Sequence, residues 1–318
     1  MMKILVCCNS DMLSIPTLLK LKEQDQLQGV CIPETSQETL MPALEALNLG
    51  VELTCLLRNT WTSTLENLIQ RLEINCVWVL TFPWIFPKIL LDSIPHGFVN
   101  FHFGLLPKYK GCDPVFWQIR NKEACGGITI HYMNEHIDEG PVLLQEKFLI
   151  MPGETYGLHC QRLGQFNATL VERVMNLQVA ENFKSLELED SDQVFSQKPA
   201  ECDLEIDWLH QTSEEIECLV NASNPRYGGA KTRIAGFEMY VLEVTPVNLE
   251  NKVEAKPGQI IHADSTYGLV IYCSDGESVR ITVVRTREGY LSGVKLFNLG
   301  FNAGHVFDSP SVRQEYSC

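Results

Sequence analysis

Across its first 180 residues the chain alternates short apolar runs with stretches of helical periodicity, and few folds accept that alternation. The runs at 3–8, 29–32, 76–80, 98–101, 128–132 and 142–145 are mostly apolar and of strand length. Between them, 39–47 and 63–72 carry apolar residues at three- and four-residue spacing, as a helix with one buried face does. A parallel strand is regained only by a crossover, so strand–helix alternation predicts an α/β fold. Its sheet is mostly parallel and Rossmann-like, with helices on both faces. In such sheets ligands sit outside the carboxyl ends of the strands.

The pattern changes at 181–207, where nine acidic residues stand against Lys184 and Lys198 and no apolar period is sustained. This stretch reads as an exposed linker. Beyond it comes a helix at 213–222 behind a Thr/Ser-Glu-Glu start. Alternating runs follow at 239–244, 258–262, 269–273 and 279–284, broken by Gly and Asp-Gly turns. They predict a small antiparallel barrel or sandwich. The expected division is 1–180, linker 181–207, and a β-rich domain over 208–318.

Composition removes several classes. No apolar run reaches the roughly 18 residues a membrane span needs, and the N-terminus breaks after a first strand at Asn9-Ser10-Asp11. A soluble, cytoplasmic protein with no membrane partner is expected. The twelve cysteines are scattered, with no C-x-x-C, so neither a metal site nor a disulfide framework is expected. A formal net charge of −15 argues against a general nucleic-acid binder, since phosphate backbones reward clustered Lys and Arg.

The densest chemistry lies in Asn100-Phe101-His102-Phe103-Gly104-Leu105-Leu106-Pro107. Asn100 and His102 are two apart at a strand end, so their side chains share one side of the sheet. An amide and an imidazole placed there can polarise a carbonyl and move a proton. An isolated Asn-x-His is more often structural. A second segment delivers His131 on a strand and Asp138 in the following loop, with Gly140 two residues later. Gly140 would let the backbone approach a ligand closely. Alone, Asp-x-Gly is an ordinary turn.

Together the two segments resemble the 10-formyltetrahydrofolate-dependent formyltransferases, which combine an Asn-x-His strand end, a Leu-Leu-Pro turn and a downstream Asp-x-Gly. The resemblance continues through Glu205-Ile206-Asp207-Trp208, Asn224-Pro225 and Gly236, which are similar to the start of a barrel-like (OB-like) C-terminal domain in methionyl-tRNA formyltransferases. It implies an N-formyltransferase with Asn100, His102 and Asp138 as catalytic residues. Asn100 and His102 would stabilise the reacting oxygen, Asp138 would orient and deprotonate an amine, and His131 would brace Asp138. It also implies a folate pocket with Phe82, Trp84, Ile85, Phe86, Leu105 and Gly140. The co-substrate would be 10-formyltetrahydrofolate, with no metal. Two positions depart from the pattern: Gly104 replaces a common Ser, and Glu139 replaces Thr or Gly. The first is expected to change only packing and one hydrogen bond.

The acceptor is the open question. The tRNA enzymes carry a basic insertion after the second strand, whereas no Lys or Arg occurs here between Lys22 and Arg58. Pro114-Val-Phe-Trp117 and Thr129-Ile-His131 look closer to relatives acting on small amines. A small-molecule amine such as a nucleotide-linked amino sugar is therefore the expected acceptor. Methionyl-tRNA is the alternative, the one in which nucleic acid is a partner. A non-catalytic binding protein on the same fold is the lesser alternative.

Overall fold

A computed structural model of the chain describes residues 2–181, 183–188, 195–248 and 253–310. They fall into two compact units. The first comprises 1–114, 125–149 and 159–196; the second comprises 115–124, 150–158 and the chain from 197 onward.

The first unit is built on strands β1 (Ile4–Cys8), β2 (Leu27–Pro33), β3 (Glu52–Leu56), β4 (Cys76–Leu80), β5 (Phe98–His102), β6 (Cys125–Tyr132) and β7 (Val142–Leu149). They form one sheet in the order β3-β2-β1-β4-β5-β6-β7. Pairing is parallel as far as β5 and antiparallel for β6 and β7. Helices α1 (Asp11–Glu23), α2 (Gln37–Ala46), α3 (Trp61–Arg71) and α4 (Lys88–Leu91) lie between the parallel strands in sequence. β1 and β4 are buried along their whole length, and so read as continuous apolar runs. β3 is an edge strand, its first residue exposed and its middle half-buried. It lacks that run and was not legible in the sequence. Helix α3 buries Trp61, Leu65, Leu68 and Ile69, spaced by four, three and one. Each such side chain contributes about 1.5–3 kcal/mol. Strand order reverses between β1 and β4, the kind of position at which such sheets hold ligands beyond their carboxyl ends.

Helix α5 (Pro114–Arg120) belongs to the second unit from Val115 on, and α6 (Tyr156–Gln178) to the first from His159 on. Helix α7 (Ser213–Ser223) opens on a reciprocal cap between Thr212 and Glu215. Strands β8 (Ala230–Ile234), β9 (Phe237–Val247), β10 (Ile260–Asp264), β11 (Gly268–Tyr272), β12 (Ser278–Thr286) and β14 (Phe307–Asp308) follow the antiparallel order β10-β11-β12-β9-β8-β14. β13 (Gly289–Ser292) pairs with β12. The two ends of this path meet. Ile260 N–H donates to the His305 carbonyl and Phe307 N–H to that of Gly258, each at 2.8 Å, and Gln259 bridges Val306. The sheet thus closes on itself as the expected barrel. A bulge in β9 makes the curvature possible, and it shifts the buried positions from Met239 and Val241 to Val244.

The stretch 181–207, read as an exposed linker, is anchored where it is described. Leu186 N–H donates to the Val142 carbonyl at 2.9 Å, and Phe195–Ser196 pair with Lys110–Gly111. Ile206 is fully buried, and so is Trp208 just beyond the stretch. The Trp208 indole donates to Thr232 Oγ1 at 2.9 Å. The acidic residues conceal these apolar anchors, which have no period because they occur singly. Among the described residues no helix is long and apolar enough to cross a membrane.

Candidate active site

Four predicted side chains converge at the end of β5. Pairing of β5 with β6 sets Asn100 opposite His131 and His102 opposite Thr129. The loop after β6 returns Asp138 to them in a left-handed conformation, φ 54°, which Asp tolerates better than most residues. Asn100 Nδ2 lies 3.1 Å from Asp138 Oδ1 and 3.2 Å from His131 Nε2. His131 Nε2 is 3.4 Å from Asp138 Oδ1, and His102 Nδ1 is 3.5 Å from Asp138 Oδ2.

The surrounding backbone fixes the proton positions. A carbonyl only accepts, so His102 Nε2, 2.9 Å from the Tyr109 carbonyl, carries a proton. His131 Nδ1 carries one for the same reason, 2.8 Å from the Tyr132 carbonyl. That leaves His131 Nε2 to meet the Asn100 amide and His102 Nδ1 to face Asp138 Oδ2. Burial pushes His102 below the usual imidazole value, against the pull of the Asp138 charge. Burial alone would raise the Asp138 carboxyl. His102, His131 and the Gly111 N–H, which donates to Oδ2 at 2.9 Å, together hold it well below the usual carboxylate range. The site therefore offers an ionised carboxylate flanked by a buried imidazole, an arrangement suited to taking a proton and passing it on.

The Leu-Leu-Pro turn is held by Thr129 and Gln145, a role the sequence did not show. The Thr129 hydroxyl donates to the Gly104 carbonyl at 2.7 Å and accepts from Leu106 N–H and Gln145 Nε2. Gln145 Nε2 also donates to the Leu106 carbonyl. Thr129 lies two residues from His131 on one strand, and that spacing was the available signal. Thr129→Val keeps the volume but strands these partners, and should lower unfolding free energy by about 2–4 kcal/mol. A denaturant midpoint close to wild type would refute this.

Gly104 has a larger role than the sequence suggested. A Cβ there would lie 2.8 Å from His102 Nε2 and 2.9 Å from Pro114 Cβ. The Ser common at this position cannot enter without moving the His102 ring. Gly104→Ser is expected to lower turnover roughly ten- to hundredfold, because small displacements of a reacting group are costly. Steady-state rates on a correctly folded variant would check it. Gly140 also differs from expectation. Its Cβ would meet the Tyr132 carbonyl at 1.7 Å, so the close approach that requires glycine is to the protein's own backbone.

Of the remaining predicted pocket residues, Phe82, Trp84 and Phe86 gather around Trp61, with ring centroids 5.2–6.1 Å apart. The Arg58 guanidinium sits 5.2 Å from the Trp84 ring centroid. Phe86 is buried in the core, whereas Ile85 is 69% exposed and packs outside this cluster. Leu105 is half-buried, and a Cβ on Gly127 would strike it. Among the described residues, no group of three or more His, Cys, Asp or Glu side chains could hold a metal ion.

Comparison with known proteins places this geometry in a lineage. Residues 32–175 match the family model described as formyl transferase, and 200–302 match that of the formyl transferase C-terminal domain. The chain belongs to the formyl transferase family. Among its relatives is the methionyl-tRNA formyltransferase of Syntrophus aciditrophicus, 31% identical over 61% of this chain and 61% of that protein's length. Two solved structures share the fold. HypX from Aquifex aeolicus, in complex with tetrahydrofolic acid, matches at a TM-score of 0.66 and 17% identity. It covers 93% of this chain and 47% of that one. The N-formyltransferase from Helicobacter canadensis, in complex with folinic acid and dTDP-3-aminofucose, matches at 0.64 and 18%, over 88% and 99%.

Proposed function

We propose that this formyl transferase family member moves a formyl group from 10-formyltetrahydrofolate to a primary amine, and that the acceptor is a small molecule such as a nucleotide-linked amino sugar. The observation that carries the reading is the convergence of Asn100, His102, His131 and Asp138 within 3.5 Å contacts at one strand end.

The neighbouring loop suits a folate. Phe82 and Trp84 offer half-buried aromatic faces. Beside them the Thr81 hydroxyl is buried without a partner among the described residues, on a β-branched residue held at φ 59°. A buried polar atom of this kind is costly unless a ligand satisfies it. The bound folate would supply the activated formyl group.

The chain's own residues would handle the protons. Asp138 would accept one from the amine and pass it to His102 Nδ1, 3.5 Å from Oδ2, and His102 would return it to the folate nitrogen as that nitrogen's bond to the formyl carbon breaks. Both Asn100 amide protons are engaged, one by Asp138 and one by His131. Protonation of Asp138 weakens its hold and frees one of them for an oxygen gaining charge. Proton removal and oxygen stabilisation are then coupled through one amide.

The second reading, methionyl-tRNA as acceptor, is favoured by the curated relative from Syntrophus aciditrophicus. Against it stands charge. The connection after β2 is the acidic turn Glu34–Ser36, and residues 197–310 hold ten Lys and Arg against sixteen Asp and Glu. Of the basic residues there, Lys231 and Arg233 both pair with Glu238. Arg285 lies over the Tyr240 ring and donates to the Gly228 carbonyl. The test is incubation with 10-formyltetrahydrofolate and a panel of nucleotide-linked amino sugars, read by mass spectrometry. A formamide product is expected. Its absence across the panel, with methionyl-tRNA formylated in parallel, would reverse the choice of acceptor.

A further inference from the structure

One described part of the acidic segment reaches the site through a two-residue pair of strands. Lys110 and Gly111 pair in parallel with Phe195 and Ser196, and Cys112 N–H donates to the Ser196 carbonyl at 2.7 Å. Gly111 sits at φ 103°, and its N–H is the one donated to Asp138 Oδ2. A Cβ on Gly111 would lie 2.5 Å from the Ser196 carbonyl and 3.2 Å from Phe195 Cζ, so the ring presses on bare backbone. On the other side Lys110, largely buried, forms an ion pair with Glu139, the residue after Asp138. Phe195 itself is 56% exposed. A large aromatic left half in water adds little to a core, and what it does cover is the glycine that holds the carboxylate.

We propose that Phe195 and the Lys110–Glu139 ion pair are positioning residues that clamp the Gly111 N–H onto Asp138, so that the 195–196 segment sets the geometry of the carboxylate. This rests on the reading of Asp138 as the proton acceptor. The groups facing Asp138 are His102 from β5, Asn100 beside it, His131 from β6, the Gly111 N–H, and the Lys110–Glu139 pair at its edge. A hydrogen bond to the charged form favours that form, so loosening the clamp raises the carboxyl's pKa.

The test is titration of protein labelled with [13Cγ]aspartate, the Asp138 resonance being assigned by its loss in Asp138→Asn. In wild type its midpoint is expected below that of an ordinary aspartate, followed over the acid range in which the protein remains folded. In Phe195→Ala the midpoint is expected to rise by about one pH unit. Phe195→Leu is expected to return it toward wild type. Phe195 is exposed, and matched thermal melts show that the fold is kept. A midpoint unmoved in Phe195→Ala, or a rise that Phe195→Leu does not reverse, overturns the proposal. The titration uses neither folate nor amine, so failure of formyl transfer would leave it readable and would count against the activity alone.

Discussion

Asp138→Asn is expected to lower turnover by a factor of about 10³ with little change in folate affinity, the loss typical of removing a positioned acid–base group. The side-chain amide keeps one oxygen for the Gly111 N–H but cannot take a proton. It also places an N–H group against the Asn100 amide, which donates to the carboxylate in the wild type. Asn100→Ala, which removes the donor to Asp138 and His131, is expected to cost roughly 10²–10³. Single-turnover rates with saturating folate measure both, and near-wild-type values in either variant would make the cluster structural. The pH dependence follows from the shifts. Asp138 is held well below the usual carboxylate range, so its ionised form persists as pH falls, until its folded value is reached. His102 is lowered by burial, so it takes up charge at a lower pH than an ordinary imidazole. The acid limb of kcat/KM should therefore lie below the ordinary histidine value. The same shift contributes stability that is present above the unfolded pKa of Asp138 and lost as pH falls through the folded one. The stability gap between wild type and Asp138→Asn should narrow toward acid pH.

What was legible in the sequence was whatever repeats or stands close along the chain. β1 and β4 are buried on both faces, so their composition alone marks them, and Asn100 and His102 announce a shared face by being two apart. The edge strand β3 has no such run, because one side of it meets water and Glu52 there pairs with Arg71. The meeting of His131 with Asn100 depends on register between two strands separated by the turn and by α5, which no local pattern encodes. The same holds for Gly111, whose value to the site is a backbone N–H. A side-chain motif cannot show it. Gly104 and Gly140 were visible as glycines, but the reason for each is a neighbour distant in sequence or hidden in the loop: His102 and Pro114 for one, the Tyr132 carbonyl for the other.

No measurable formylation of methionyl-tRNA is expected under conditions where a nucleotide-linked amine is formylated, with only mild salt dependence for the small substrate. A tRNA acceptor would need several phosphate contacts. Six or more would make affinity fall roughly 10³-fold between about 50 and 200 mM salt, as released counterions are returned. This chain is poorly supplied for that, with a formal net charge of −15 and no Lys or Arg between Lys22 and Arg58. Within the second unit, Glu238 already occupies Lys231 and Arg233. A nucleotide-linked sugar asks for less, since one or two Arg or Lys side chains can clamp a diphosphate. The measurement is the rate of formyl transfer to each acceptor across a salt series. Efficient transfer to methionyl-tRNA at low salt, collapsing at moderate salt, would show that a local basic patch outweighs the average charge. The acceptor would then change, while Asp138 and its partners would keep the roles argued for them, because the proton on the attacking amine must leave in either case.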